Sequence, residues 1–434
     1  CLAAIFVQWL LVTFLSPFFP DVAAAHGLSS TVVGLIMAMS SLAACIFAPI
    51  VGFQMQRVGV LKMVAVGLAI SSATCWLMAF LPRLCKDATS LAVAFIATRF
   101  VMGVGGAMVE TAAYGSMLNS FRDQKGKVMA AGETIIGLGC IAGPPFGGVI
   151  YQLAESFWPP CVVFGCFPLA LLAVVPFISQ PADPAPAAER DEAFPPINES
   201  PQSDKSFIGL LRTAPFLITF VGVMIGSSAI SFIDPVLAPY MKLTYGVDAG
   251  IAGIFFMIPG VVYILTAMVA GATVDSFGGA TAPRQEYKLK LMATVGFVLL
   301  YVGYLFLAPV FQRAALERIA VLAASLVAIG VGIGLTIMPS NTDLTSIAER
   351  RMQPSGDAEE EALTSQIAGL WSSSYYLGMV IGPIIGGTLE SSIGINWGSF
   401  TFAVACACGA LLNAWGAWQA RAPGAAYVAV EPLD

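Results

Sequence analysis

Residues 139–148 read GCIAGPPFGG, and residues 378–387 read GMVIGPIIGG, 239 positions further along the chain. Both stretches share the frame G-x-x-x-G-P-x-x-G-G within an apolar segment. A Gly-Pro pair bends a membrane helix, and the flanking glycines allow a neighbouring helix to approach closely. Two such helices at matching places predict a duplicated bundle of membrane helices, in which a binding site commonly lies between the two copies.

The composition is that of a helical integral membrane protein. Of the 434 residues, 58% are hydrophobic and only 11% are charged, whereas soluble domains carry roughly 25% charged residues. The apolar runs are about 20 residues long, as a bilayer core of about 30 Å requires, and a barrel would show shorter alternating segments. The nine cysteines mostly fall inside these runs and there is one histidine, His26. We therefore expect no disulfide framework, metal site or cofactor.

Twelve membrane spans separated by short polar turns are predicted. Spans 1 to 12 are placed at residues 2–22, 31–54, 62–82, 90–119, 128–152, 159–179, 212–240, 249–274, 289–309, 317–343, 363–390 and 397–419. The predicted fold is all-α, with an N-terminal six-helix bundle at 1–179 and a C-terminal six-helix bundle at 212–420. A linker at 180–211, rich in Pro and acidic residues, joins them and is expected to be flexible, and a tail follows at 421–434.

The distribution of Lys and Arg predicts the orientation in the membrane. Of the twenty such residues, fourteen fall in the loops after the even-numbered spans and in the tail, with Lys290 counted among them. Five fall on the opposite side, and Arg99 lies within span 4. Both termini and the linker are therefore expected on the cytoplasmic side.

The duplication extends beyond spans 5 and 11. Span 2 and its following loop align with span 8 at an offset of 219, with matched glycines in each copy. These pairs are Gly34 with Gly253, Gly52 with Gly271, and Gly59 with Gly278. Spans 1 and 7 both end in a proline with an acid nearby, in the stretches SPFFPD (16–21) and SFIDP (231–235).

These motifs resemble the major facilitator superfamily of transporters. The stretch GFQMQRVG (52–59) is similar to its G-x-x-x-D-R-x-G loop, with Gln56 in place of the usual acid, while the second half keeps Asp275. The stretch RFVMGVGG (99–106) resembles the R-x-x-x-G-x-G motif tied to proton coupling, and span 5 resembles the antiporter motif, with Ala130 at its upstream glycine. The resemblance implies a fold of two pseudo-symmetric bundles.

Within that superfamily, the stretches GETIIGLGCIAGPPFGGVIYQ (132–152), FIDP (232–235) and MPSNTDL (338–344) resemble the vesicular amine transporter family. The polyamine-type branch fits better than the monoamine branch, because Gln8 and Ser372 stand where the monoamine branch has acids in spans 1 and 11. The resemblance implies gating by the loop and Gly-Pro motifs. The residues concerned are Gly52, Arg57, Gly59, Gly139, Gly143, Pro144, Gly147, Gly148, Gly271, Asp275, Gly278, Gly378, Gly382, Pro383, Gly386 and Gly387.

Ionisable residues inside the bilayer are costly and usually functional. Glu133, about one turn into span 5, and Asp234, before Pro235 in span 7, are the leading candidates for binding a proton or a cationic substrate. A proline often marks a broken helix at a binding site, although Asp234 could instead be an acid near the surface. Arg99 is either a structural tie between helices or part of proton coupling. Glu110, eleven residues further, is either a substrate determinant or a partner of Arg99.

Two further acids and a group of aromatic residues complete the candidate site. Asp21 and Asp343 lie near the ends of predicted spans, where solvated interfacial acids are the simpler interpretation. Trp371, Tyr375, Tyr376 and Tyr263 are aromatic residues in spans 11 and 8. Aromatic faces with carboxylates suit an organic cation, but aromatic residues at helical spacing more often serve packing.

The sequence has no phosphate-binding loop of the G-x-x-x-x-G-K-[ST] type, no Ser/His/Asp set and no basic patch for nucleic acid. We therefore expect a non-enzyme that exchanges protons for an organic amine, with a polyamine favoured, in a lipid bilayer and as a monomer. A vesicle or vacuole membrane is favoured over the plasma membrane. A multidrug exporter of the same superfamily and a non-transporting receptor or scaffold are the alternatives.

Overall fold

The computed structural model describes residues 1–121, 125–175, 209–210, 212–276, 282–310, 318–352 and 357–421. In this part of the chain the regular structure is helical, as the apolar spans predicted. Most of the linker and nearly all of the tail lie outside it, so their boundaries stay predictions.

The helices follow the predicted spans in order. Span 1 contains two helices, Leu2–Thr13 and Phe19–Ala25, and spans 2 to 6 form Ser30–Val58, Val60–Leu84, Ala88–Ser120, Lys125–Ala154 and Trp158–Val174. Spans 7 to 10 form Ala214–Tyr245, Ala249–Asp275, Ala282–Leu307 and Ile319–Met352, and spans 11 and 12 share the segment Asp357–Arg421. Gly394, with a φ of 77°, divides this last segment because only glycine adopts that backbone conformation at little cost.

Nine of the described helical segments are long and apolar enough to cross a bilayer, and spans 1 and 6 contain shorter apolar helices. Each half has its own core of buried side chains. In the first half Phe14 stacks on Phe164, with ring centroids 4.5 Å apart. In the second half Phe232 packs against Phe402 at 4.6 Å. Two separate cores agree with the predicted pair of bundles, because each bundle buries its own apolar faces.

Span 1 is interrupted in its second half. The first helix ends at Thr13, and the Ser16 N–H bonds to the Thr13 carbonyl at 3.2 Å, one residue closer than α-helical spacing requires. Pro17 follows and has no N–H to donate. The interruption leaves backbone groups near Leu11 and Val12 for other partners. Span 7, by contrast, runs as one helix through Pro235 and Pro239, so the broken helix expected at Asp234 occurs in span 1 instead.

In each half, the repeated glycine motif packs against equivalent backbone atoms of the first span of that half. A Cβ at Gly139, Gly143 or Gly147 would meet the carbonyl oxygens of Phe6, Leu10 and Phe14 in span 1. A Cβ at Gly378, Gly382 or Gly386 would meet those of Met224, Ser228 and Phe232 in span 7. The glycines therefore allow spans 5 and 11 to lie directly against spans 1 and 7. These contacts align span 1 with span 7 at an offset of 218.

The two halves meet closely at the face that holds the loops after spans 1, 5, 7 and 11. A Cβ at Gly34 in span 2 would collide with the Pro383 carbonyl oxygen of span 11, and one at Gly253 in span 8 would collide with that of Pro144 in span 5. The last glycine of each motif makes the reciprocal contact, Gly387 with Ser30 and Gly148 with Ala249. This symmetric packing closes the protein at the face predicted to be non-cytoplasmic.

Candidate functional site

Asp234 lies where the two halves meet. The Ser16 hydroxyl in the break of span 1 donates a hydrogen bond to its Oδ1 at 2.9 Å, and the side chain is partly buried. A small cavity beside this bond is lined by both halves, with Ser41 and Arg99 from the first and Ser231 and Asp234 from the second. The carboxylate therefore lies between the two bundles.

Arg99 is buried beside Asp234, with 2% of its surface exposed. Its Nη1 donates to the Leu11 carbonyl at 3.4 Å and its Nη2 to the Val12 carbonyl at 3.2 Å. These carbonyls belong to the last turn before the break in span 1, where the helix dipole favours a cation. The contacts with Leu11 and Val12 agree with the interpretation of Arg99 as a structural tie between helices. Arg99 and Asp234 both line the small cavity between the halves.

Glu133 lies in the span 5 helix, but its side chain is outside the part of the structure that is described. The same holds for the side chains of Arg57 and Asp275. Gly278 falls in the undescribed segment 277–281. Their roles stay predictions from the sequence.

Glu110 connects the two halves at a second point. The Tyr376 hydroxyl of span 11 donates to Glu110 Oε1 of span 4 at 3.0 Å. Arg99 and Glu110 are eleven residues apart, which is about 16 Å along a helix, and the structure gives Arg99 its carbonyl partners near Asp234. Glu110 therefore contacts an aromatic residue of the opposite half, and its role as a substrate determinant or as a partner of Arg99 stays a prediction.

The aromatic residues of span 11 form a continuous row. Trp371 stacks on Tyr375 with centroids 5.6 Å apart and an interplanar angle of 20°, and Tyr375 meets Tyr376 edge-on at 6.1 Å. The Trp371 Nε1 donates to Ser340 Oγ at 2.8 Å, which fixes one end of the row. Tyr263 of span 8 packs at the edge of the C-terminal core. The row reaches from span 10 of its own half to Glu110 of the other.

Asp21 and Asp343 differ in their surroundings. Asp21 Oδ2 pairs with Lys242 Nζ at 2.8 Å, and this ion pair joins the halves at the closed face with both side chains partly exposed. The interpretation of Asp21 as an interfacial acid agrees with this position. Asp343 is only 2% exposed, so the interpretation of this residue as a solvated interfacial acid is wrong.

Asp343 belongs to a buried ion pair inside the second half. The Lys290 Nζ lies 2.7 Å from Asp343 Oδ2 and also donates to Thr219 Oγ1 at 2.8 Å. The Thr219 hydroxyl donates to the same carboxylate oxygen at 2.5 Å. These contacts tie spans 7, 9 and 10 together. Counting Lys290 as a loop cation was therefore wrong, and removing it leaves thirteen loop cations against five.

The contacts between the halves at the closed face are polar as well as apolar. Thr31 Oγ1 and Ser391 Oγ are 2.7 Å apart, and the Gln152 amide donates to Asp248 Oδ2 at 3.2 Å.

Among the loop glycines predicted to take part in gating, Gly59 has a φ of 88° and forms the turn between spans 2 and 3. A Cβ at Gly52 or Gly271 would meet only ordinary van der Waals contacts, with Thr111 and Met338. Their part in gating stays a prediction.

Sequence reasoning missed Ser16, Lys290 and Thr219. Ser16 could have been found, because Ser16-Pro17 and Asp234-Pro235 align when spans 1 and 7 are compared at the offset of 218. Lys290 stood one residue inside the predicted span 9, where a lysine signals a buried partner. Thr219 carries no signal of its own in the sequence, since an apolar helix often contains threonines facing the backbone of its preceding turn.

A charged site between two six-helix bundles that are closed together at one face defines the class of multi-pass membrane transporters that work by alternating access. The sequence matches the family model of the Major Facilitator Superfamily over residues 1–356. The chain therefore belongs to this superfamily, and the expected fold and family are confirmed.

Curated relatives also resemble the chain along most of its length. The MFS-type transporter SLC18B1 of Homo sapiens is 26% identical over 384 residues, which is 88% of this chain and 77% of the relative. The synaptic vesicular amine transporter of Homo sapiens is 22% identical over 367 residues, 84% of this chain and 62% of the relative. These relatives confirm the resemblance to vesicular amine transporters that the span 5, 7 and 10 motifs indicated, and they are transporters, not enzymes.

Solved structures share the fold. A bacterial homolog of the human lysosomal transporter Spinster, in an inward-facing and occupied conformation, superimposes with a TM-score of 0.70 at 12% identity and covers 96% of this chain and 95% of that one. The nucleoside transporter NupG has a TM-score of 0.66 at 11% identity, covering 96% and 98%. At these identities the likeness concerns the fold alone.

Proposed function

We propose that this protein exchanges protons for an organic amine, with a polyamine as the favoured substrate, by alternating access in an intracellular vesicle or vacuole membrane. The observation that carries the proposal is Asp234, a partly buried carboxylate that lies between the halves and bonds to Ser16 of the opposite half. The similarity to vesicular amine transporters supports the choice of an amine.

The geometry suggests how proton and substrate would compete. A carboxylate between the halves accepts either a proton or an ammonium group, because both neutralise the same charge. Arg99 is held independently by the carbonyls of Leu11 and Val12. It therefore keeps two hydrogen-bond partners when Asp234 is neutralised.

Closure at the face predicted to be non-cytoplasmic supplies the second element of the mechanism. Release of substrate there requires the packing of Gly34 on Pro383, and of Gly253 on Pro144, to separate. The Ser16–Asp234 bond lies between the same halves, so its rupture is part of that opening. Neutralising Asp234 weakens a hydrogen bond to a charged acceptor, and this links occupancy of the carboxylate to the conformation of the protein.

The test is uptake into proteoliposomes with an imposed pH gradient. Radiolabelled spermidine, a monoamine and a cationic dye serve as substrates, and the gradient is collapsed with an ionophore in a parallel sample. We expect gradient-driven amine uptake that Asp234→Asn reduces at least 100-fold, while Glu155→Gln, at an exposed acid, does not. Glu133→Gln examines the second acid predicted from the sequence.

The alternatives correspond to different results of the same assay. Uptake that persists unchanged after the gradient is collapsed would overturn proton coupling. Strong competition by bulky uncharged drugs would favour a multidrug exporter. Absence of transport with every substrate, in protein shown to be folded, would favour a receptor or scaffold.

A further inference from the structure

Two acids of the interface lie at different depths. Asp234 shares its cavity with Pro383 of span 11, and Glu110 bonds to Tyr376 of the same span. Tyr376 precedes Pro383 by seven residues, which is about 10 Å along a helix. The separation of Arg99 from Glu110 on span 4 is about 16 Å by the same rule. The two carboxylates are therefore separated along the interface by roughly 10–16 Å.

The surroundings of Glu110 suit a cation. Tyr376 approaches the carboxylate through its hydroxyl, and the rings of Tyr375 and Trp371 continue from it in one row. An ammonium group beside a carboxylate gains charge-assisted hydrogen bonds, and aromatic faces add cation–π attraction. Glu110 and this row come from opposite halves, so a cation bound there would contact both bundles, as one at Asp234 would.

Gln8 places an uncharged amide next to this region. It is 3% exposed, accepts a hydrogen bond from Ser71 and lies against Gly106, one helical turn from Glu110. Inside the first half, the packing at Gly106 is therefore polar but carries no charge on Gln8. A linear chain with a positive group at each end would meet a carboxylate at both ends.

We propose that Glu110, with Tyr376, is a specificity-determining second ammonium site that selects long diamines and polyamines over monoamines. This inference rests on the proposed function, because it assigns Asp234 the first ammonium group. A substrate with two separated charges occupies both carboxylates, whereas a monoamine or a short diamine occupies one. The Tyr376–Glu110 bond holds the second carboxylate in position.

The experiment compares amines of matched length as competitors of uptake in proteoliposomes. The probes are diaminooctane and octylamine, which differ by one terminal ammonium group, and the short diamine diaminopropane. In the wild type we expect diaminooctane to compete at least about tenfold more strongly than either other amine. In Glu110→Gln that advantage should fall to twofold or less, with octylamine unchanged. Glu155→Gln, which removes an exposed acid, should retain the wild-type ratio.

A second variant and a binding measurement distinguish loss of the second site from misfolding of the protein. Tyr376→Phe removes only the hydroxyl that holds Glu110, and it should reduce the diamine advantage by a smaller factor, about threefold. Thermal stabilisation of the purified protein by diaminooctane should be largest in the wild type, smaller in Tyr376→Phe and smallest in Glu110→Gln. An unchanged ratio in Glu110→Gln, in protein that still takes up amines through Asp234, would overturn this inference alone. A wild type that transports no amine would overturn the proposed function as well.

Discussion

Ser16 and Asp234 occupy equivalent positions in the two halves and hydrogen-bond to each other. The contacts of the repeated glycines align spans 1 and 7 at an offset of 218, and the bond between these residues joins positions 218 apart. Each precedes a proline. The bond therefore lies on the pseudo-twofold axis, where identical elements of a duplicated bundle must meet. One copy supplies a hydroxyl donor and the other a carboxylate, so the symmetric position holds a single negative charge.

Ser16→Ala tests whether this bond contributes to the closed state. Hydrogen bonds to charged groups are worth about 1.5–3 kcal/mol, and partial exposure of Asp234 places the expected loss at the lower end of that range. The thermal stability of purified protein should fall in Ser16→Ala, and much less when Asp234→Asn is already present. This double-mutant cycle isolates the pair. Equal effects in both backgrounds would show that Ser16 acts through something other than Asp234.

Arg99→Lys should retain the charge but lose the two-carbonyl contact. A lysine ammonium cannot reproduce the planar fork that reaches both the Leu11 and Val12 carbonyls. We expect a destabilisation of about 1–3 kcal/mol, as for a buried polar group left unsatisfied, measured by thermal unfolding in detergent. The matched control is Arg83→Lys, at an exposed arginine. Stability equal to that of the control would exclude Arg99 as the cap of the interrupted helix.

The Lys290–Asp343 pair should show strong coupling. Lys290→Met or Asp343→Leu alone leaves one buried charge without its partner, which typically costs 3–5 kcal/mol, whereas replacing both with apolar residues is often nearly neutral. The double variant should therefore be more stable than either single variant by at least about 2 kcal/mol. Lys86→Met, at an exposed lysine, provides the control. If the stability losses of the two single variants simply added in the double variant, Lys290 and Asp343 would not be energetically coupled.

A disulfide between positions 31 and 391 should hold the protein closed. The hydroxyls of Thr31 and Ser391 are 2.7 Å apart and join spans 2 and 11 across the interface. Oxidised Thr31→Cys/Ser391→Cys protein should lose at least 90% of uptake, and a reducing agent should restore it. Each single-cysteine variant, treated identically, controls for the nine native cysteines. Full uptake in a cross-linked protein would contradict opening at this face.

The helical bundle was predictable because its signals are local. Apolar runs of bilayer length fix the number and order of spans, and the repeated glycine frame identifies the duplication. The spacing of the glycines at 139, 143 and 147 alone predicts that a neighbouring helix approaches closely there. Which backbone they approach depends on how the spans are arranged, and the structure identifies spans 1 and 7.

The candidate site was only partly predictable for the same reason. Asp234 and Arg99 were conspicuous because charged residues are rare in apolar segments, and both line the cavity between the halves. The break was expected beside Pro235, but it lies in span 1. A proline removes one backbone donor without requiring the helix to end, and tertiary contacts such as those of Arg99 decide where the backbone carbonyls find other partners.

The sequence by itself determined the membrane class, the twelve spans and the two-fold repeat, because hydrophobicity and small-residue spacing act over one helix at a time. Only the tertiary structure decided the pairings: Ser16 with Asp234, Glu110 with Tyr376, and Asp343 with Lys290. Each pair joins residues distant in the chain, and the free energy of a buried charge depends on the partner that packing brings within hydrogen-bonding distance.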